Sequence, residues 1–304
     1  MNKAEISIVI INYNTANLTY NCIQSINKFE DNKSIEFIIV DNASKKEDFD
    51  KLQLNLSNFD SVKIIRSKIN LGFAAGNMLG YQYANGNYIT FINSDVLFTS
   101  PVLDQLKKFI LENPDAGVCG PQILNADLKE TTSFRHFEGI RYKLLGKKFL
   151  EATSPNAPSM RKKYNTPIAV DFIIGSFMFF NLEAFKKIGG FDCNTFLYYE
   201  ETDVCFRLKK RGYKTYFIPT LNYIHLEGKS STVNLNLKLE HLISYLYITR
   251  KNFGFFKYLI IKNYLLLSYL CKAPFKRKNL FIFKNLLKMN ESLALSMRHN
   301  QNID

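Results

Sequence analysis

The sequence predicts an α/β fold, a mostly parallel central sheet flanked by helices, with a helical extension at its C-terminal end. Three observations carry that expectation. The N-terminal part alternates short β-branched runs with apolar residues at helical spacing, the pattern of crossover units joining parallel strands. Its 304 residues are 46% hydrophobic and 22% charged, enough to bury a large core and unlike a disordered or collagenous chain. Towards the end the composition turns basic and aromatic, so the chain divides into an α/β domain over 1–235 and an extension over 236–304.

Taken in order, Ser7 to Ile11 reads as a strand, and Leu18, Cys22, Ile23 and Ile26 recur at helical spacing. Phe37 to Val40 and Val62 to Ile65 give two further strands, Phe73 to Ala84 a helix, and Tyr88 to Ile92 a fourth strand. Residues 127–168 lack a regular pattern and carry Pro155, Pro158 and Pro167, which predicts a mobile insertion beside the site or a solvated surface loop. An apolar run over Val170 to Phe180 precedes a helix around Leu182 to Ile188. A second helix follows Tyr199-Glu200-Glu201 and ends at Gly212, and Thr215 to Ile218 is a strand.

Several classes drop out. The five cysteines are scattered and never spaced C-x-x-C, which argues against a disulfide framework or zinc knuckle and for a reducing compartment. Gly72, Gly76 and Gly80 are four apart, not the G-x-G-x-x-G of a dinucleotide fold, and a Walker-type phosphate loop is missing. The N-terminus does not read as a signal peptide. Phe255 to Cys271 is interrupted by Lys257 and Lys262, so no spanning helix is predicted. The net charge of +13 is concentrated in residues 241–304, which hold eleven Lys or Arg against Glu291 and Asp304. Such a basic, aromatic helical segment either lies on anionic lipid or packs on the domain with a solvated face. No nucleic-acid motif accompanies the charge, so nucleic acid is not an expected partner.

Ligands of open α/β sheets bind beyond the carboxyl ends of the strands. Here those ends carry Asn12-Tyr13-Asn14-Thr15, Asp41-Asn42-Ala43-Ser44 and Asn93-Ser94-Asp95. A carboxylate such as Asp95 can hold a hard divalent cation that takes further oxygens from a diphosphate. In Tyr198-Tyr199-Glu200-Glu201-Thr202-Asp203, one carboxylate is explained by the helix macrodipole, a role expected of Asp203. Mutual repulsion between Glu200 and Glu201 would raise one pKa and suit a general base. His225, in Tyr223-Ile224-His225-Leu226-Glu227-Gly228, is a further candidate ligand.

In this order the segments resemble glycosyltransferase family 2, particularly its rhamnosyltransferase-like members. The matching stretches are Ser7 to Asn14, Val40 to Ser44, Asn70 to Asn77, Asn93-Ser94-Asp95, Gly189-Gly190-Phe191-Asp192, Tyr199-Glu200-Glu201 and His225. The resemblance implies a GT-A fold, a nucleoside-diphosphate sugar donor, a divalent metal (Mn²⁺ or Mg²⁺) and inversion at the anomeric carbon. It places Asp41 on the base or ribose, Asn12, Tyr13 and Asn14 around the nucleoside, and Asn70, Gly72 and Asn77 along the donor. Asn93 and Ser94 would flank the metal, with Asp95 holding it and His225 completing its coordination. Glu201 would be the base and Glu200 a supporting group.

Two positions depart from the family's usual Glu-Asp and Asp-x-Asp patterns: Glu201 is one methylene longer, and Asn93 is a weaker ligand than a carboxylate. Asn93 leans the donor towards dTDP-rhamnose, with a UDP-hexose the other choice. Relatives of this type build O-antigen or capsule on polyprenyl-diphosphate carriers at the cytoplasmic membrane face, which would make the protein peripheral there. A sugar-1-phosphate nucleotidyltransferase is disfavoured, because its Gly-rich first loop is replaced by Asn12-Tyr13-Asn14-Thr15. The alternative is a non-catalytic, membrane-associated module that binds a nucleotide on the same fold.

Overall fold

A computed structural model describes residues 4–30, 34–154, 157–226, 235–289, 293–299 and 301. Pro155 and the Glu227-Gly228 end of the His225 segment lie outside these. The elements run β1 (Ile6–Asn12), α1 (Ala16–Phe29), β2 (Ile35–Asn42), α2 (Lys46–Leu56), β3 (Val62–Ser67), α3 (Gly72–Tyr81) and β4 (Tyr88–Asn93). Then follow β5 (Val96–Phe98), α4 (Leu103–Glu112), β6 (Ala116–Leu124), β7 (Phe134–Arg135), α5 (Ile140–Thr153), β8 (Ile168–Val170), β9 (Phe172–Ile173) and β10 (Phe177–Asn181). The chain continues through α6 (Leu182–Lys187), α7 (Glu200–Lys210), β11 (Lys214–His225), α8 (Leu235–Phe253), α9 (Phe255–Lys272) and α10 (Arg277–Lys288).

The main sheet has nine strands, in the order β3-β2-β1-β4-β10-β6-β11-β5 with β8 beside β11. From β3 to β4 every pairing is parallel, and β10 then runs antiparallel to both β4 and β6. Alternate residues of the inner strands feed two cores. Ile8, Ile10, Phe37 and Ile39 pack with α1, α2 and α4, while Val9, Ile38, Val40 and Phe91 pack with α3, α6 and α7. Burial on both faces explains why these strands read as continuous apolar runs. A third core joins α8, α9 and α10 and includes Tyr199, the residue before the acid pair.

Register brings the polar strand ends together. Asn12 lies beside Asp41, Ile11 beside Asn93 and Asp41 beside Arg66. β11 is much longer than the predicted Thr215 to Ile218, because a register shift after Ile218 carries it on to His225 opposite Val96.

Two expectations are corrected. The apolar run over 170–180 is divided into β8, β9 and β10, and β9 leaves the main sheet to pair with β7. The carboxylate of Asp171 marks the first break, accepting from the Phe137 N–H at 3.1 Å and from Lys209 at 3.0 Å. Residues 127–168 are not wholly irregular, for they hold β7 and the fourteen-residue helix α5. No residue of α5 is buried and Gly146 interrupts it at φ +81°, so it lacks the apolar stripe that signals a helix.

Candidate active site

Neutral amides tie the loops that follow β1, β2 and β3. The fully buried Asn12 donates through Nδ2 to Asp41, Ser44 and Asp48, each at 3.0 Å, and its Oδ1 accepts from the Thr15 and Thr19 hydroxyls. Asn14 takes a positive φ of 56°, its N–H donates to Ser44 Oγ and its Oδ1 accepts from the Lys45 N–H. Asn42 does the same one strand along. Its Nδ2 donates to Asn70 Oδ1 at 2.9 Å and to the Gly72 carbonyl at 3.1 Å, and its Oδ1 accepts from the Leu71 N–H at 2.8 Å. Asp41 is buried and faces the Arg66 guanidinium at 3.4 Å.

Gly72 joins this network to the second half of the site. Its φ is +76°, and a Cβ there would stand 2.1 Å from the Phe196 carbonyl oxygen, which accepts the Phe73 N–H at 2.7 Å. Only glycine allows both the left-handed backbone and that approach. Asn77 is buried in α3 with its Nδ2 lacking a hydrogen-bond partner among the described residues.

The turn from β4 to β5 places Asp95 against the end of β11. His225 Nε2 is 3.2 Å from Asp95 Oδ1, and the Leu226 N–H donates to the Asp95 carbonyl at 3.0 Å. Ser94, one residue before, accepts from the Thr15 hydroxyl at 3.1 Å. Asn93 closes β4, with its N–H bonded to the Ser176 carbonyl at 2.9 Å. Among the described residues no group of three or more His, Cys, Asp or Glu gathers as a metal cage. A carboxylate and an imidazole side by side nevertheless suit a cation that takes its other ligands from water and a diphosphate. Asp95 and His225 therefore fit a divalent metal.

Tyr198 and Tyr199 both adopt left-handed backbone, at φ 75° and 69°, and the turn they form delivers Glu200 and Glu201 as the first residues of α7. The two carboxyls point to different surroundings. Glu201 is half-buried against Gly175, next to the Ser176 that bonds Asn93. Glu200 is buried, its Oε1 has no hydrogen-bond partner among the described residues, and Glu240 of α8 is a charged neighbour. Burial, reinforced by the adjacent Glu201 charge, pushes the Glu200 carboxyl well above the usual carboxylate range. Burial raises the Glu201 carboxyl too, opposed by the Arg135 charge. Both carboxyls are thus raised, and burial outweighs the repulsion expected from the sequence. Asp203 does more than meet the helix dipole, accepting from Arg207 at 2.7 Å, Lys251 at 2.8 Å and Asn252 at 3.0 Å.

A cavity of about 390 Å³ opens at the ends of β1, β2 and β3. Tyr13, Ala43, Lys68, Asn70 and Phe196 line it together with Leu295, Met297 and Gln301. Glu200, Glu201, Asp95 and His225 are outside this lining.

The family model described as glycosyl transferase family 2 matches residues 7–189. The chain belongs to that family. Similar proteins include the low-salt glycan biosynthesis hexosyltransferase Agl10 of Haloferax volcanii, 24% identical over 75% of this chain and 69% of its own. An N-acetylglucosaminyl-diphospho-decaprenol L-rhamnosyltransferase of Mycobacterium tuberculosis is 22% identical over 67% of this chain and 72% of its own. Among solved structures, a mannosyltransferase of Pyrobaculum calidifontis in complex with GDP-Man and Mn²⁺ has a TM-score of 0.56 at 16% identity, over 96% of this chain and 77% of that one. GalNAc-T7, solved with UDP, GalNAc and Mn²⁺, has a TM-score of 0.63 at 17% identity, but this chain spans only 56% of its length. The protein is thus a member of a glycosyltransferase family with the GT-A fold.

Two residues of this glycosyltransferase's site carried no sequence signal as ligands or supports. Phe196 seats Gly72, and the Arg135 charge acts on the Glu201 carboxyl; Asn42, which lies in a strand-end motif, holds the loop after β3. A positive-φ glycine four residues from another gives no hint of the carbonyl it must approach.

Proposed function

We propose that this protein is an inverting glycosyltransferase that moves a sugar from dTDP-rhamnose or a UDP-hexose to a lipid-linked glycan acceptor during surface polysaccharide synthesis. One observation carries the reading: Glu201 lies against the Gly175-Ser176 turn, and Ser176 bonds the strand end that leads to Asp95 and His225. A proton acceptor and a cation-holding pair thus flank one short turn.

Glu201 takes the proton of an acceptor hydroxyl as that oxygen bonds to the anomeric carbon. The bond from that carbon to the diphosphate breaks on the opposite face, releasing a nucleoside diphosphate. General-base help of this kind contributes roughly 10²- to 10⁴-fold. A divalent cation on Asp95 and His225 would supply positive charge for the departing diphosphate. The Arg135 charge opposes the upward push of burial on the Glu201 carboxyl, in the direction that favours its base form.

The extension supports a membrane-surface setting. Among the described residues no helix is long and apolar enough to cross a bilayer. The outer face of α9 exposes Phe256 (81%), Ile260, Tyr264, Leu267 (63%) and Leu270. Residues 241–289 carry Lys and Arg but no Asp or Glu, which complements an anionic lipid surface. Lys251 is excepted, being paired with Asp192 and Asp203.

The test is thermal stability with UDP, dTDP, GDP and CMP, each with Mn²⁺ or with chelator, since a ligand of the native state raises the midpoint. A metal-dependent shift with UDP or dTDP, lost in Asp95→Ala, is expected. No shift with any nucleotide would favour the non-catalytic module.

A further inference from the structure

We infer that Leu295, Met297 and Gln301, contributed by the extreme C-terminal segment, form the outer wall of the donor's nucleoside subsite. A wall for a nucleoside presupposes the donor reading proposed above, and rests on it. The cavity at the ends of β1, β2 and β3 is the place where such a donor's base and ribose would enter, between Tyr13, Ala43 and Asn70. Its size, about 390 Å³, falls in the range of small-molecule sites, roughly 300–1,000 Å³. What bounds it on the far side comes from a segment more than a hundred residues beyond the family match, which ends at residue 189.

The segment is held there by polar contacts, one of them buried. Glu240, itself buried in α8, accepts from Ser296 Oγ and from the Met297 N–H, both at 2.8 Å. The Arg298 guanidinium donates to the Cys193 carbonyl. Gln301 then clasps the opposite wall. Its Oε1 accepts from the Asn70 N–H at 2.9 Å and its Nε2 donates to the Asn70 carbonyl at 2.5 Å. A primary amide spanning both backbone groups of one residue fixes the loop after β3 and the C-terminal segment in a single geometry. Asn70 is in turn fixed from behind by Asn42.

Met297 and Leu295 give the wall an apolar surface in the same cavity that the exposed Tyr13 lines. Apolar side chains and an aromatic ring in one cavity suit the flat face of a base. Gln301 is a positioning residue of this slot, and Met297 a binding one. Because the wall lies outside the family match, it supplies donor selectivity from this chain's own extension.

The experiment is isothermal titration of the full chain with UMP, UDP, dTMP, dTDP, GMP and GDP, comparing wild type with Gln301→Ala and Met297→Ala. Each variant should bind the preferred monophosphate and diphosphate about tenfold more weakly and to the same extent, as expected for losing one or two net contacts of about 1 kcal/mol. The donor KM should rise accordingly while kcat at saturating donor stays within about twofold. Hydrogen exchange at the Met297 amide should slow when nucleotide binds. Unchanged affinity in both variants would overturn the wall, and so would tighter binding with faster exchange at Met297, which would make the segment a competitor of the donor. Failure of the wild type to bind any of these nucleotides would overturn the donor reading itself, and the wall with it.

Discussion

Around Asn12 and Asn42 the loops after β1, β2 and β3 are tied by neutral amides with their hydrogen bonds satisfied, whereas the start of α7 holds a buried and a half-buried carboxyl and leaves Glu200 Oε1 without a hydrogen-bond partner among the described residues. The first arrangement fixes shape, since each amide holds backbone and side chains of two or more loops at once. The second tunes protonation, since burial disfavours the charged carboxylate. On the proposed reading, recognition and proton transfer rest on different residue types and should fail in different ways when changed.

The largest effect is expected at Glu201. Glu201→Gln keeps the shape and removes the base, so turnover should fall roughly 10²- to 10⁴-fold while nucleotide affinity stays within about twofold. Equal loss of binding and turnover would place Glu201 on the donor rather than on the acceptor. Gly72→Ala should act on the other half of the comparison. A Cβ 2.1 Å from the Phe196 oxygen, at φ +76°, must displace one loop or the other, at a cost of about 1–3 kcal/mol. Denaturant unfolding and nucleotide titration should both register it. Asn42→Ala should destabilise by about 1–3 kcal/mol, because the Leu71 N–H and the Gly72 carbonyl lose their partner, and should weaken donor binding more than kcat.

Much of this was legible in the sequence, and the limits follow from the chemistry. Buried strands and their polar ends are local features, so the runs over Ser7 to Ile11 and Tyr88 to Ile92 mark β1 and β4 directly. The helix α5 was not legible because it buries none of its residues. The division of 170–180 was only hinted at by Asp171, Gly175 and Ser176. The adjacency of Asp95 and His225 depends on a register shift within β11, which no local pattern encodes. The return of Gln301 to Asn70 spans 231 positions, and the inward role of Asn12 is set by partners in β2, in α2 and in the turn before α1.

The extension gives the smallest effect. Packing holds for α8 through Leu242, Tyr245 and Leu246, while the outer face of α9 is exposed and is the face proposed for lipid. Binding to anionic vesicles should therefore weaken with salt and on replacing Phe256 and Leu267 by serine, with little change in stability. Loss of folding in that pair would return the face to a packing role.

The raised carboxyls also set a stability slope. A carboxyl held above its unfolded value keeps its proton longer in the native state, so stability contributed by Glu200 is greatest below about pH 4.5 and is lost as pH rises through its folded value. Glu200→Gln should flatten that decline.

The pH dependence of kcat/KM tests the central claim most directly, measured for wild type, Glu200→Gln and Glu201→Gln. The account predicts an acidic limb in the wild type that inflects above the ordinary carboxylate range, survives in Glu200→Gln, and disappears in the residual activity of Glu201→Gln. A limb that persists in Glu201→Gln and vanishes in Glu200→Gln would contradict it and move the base to Glu200.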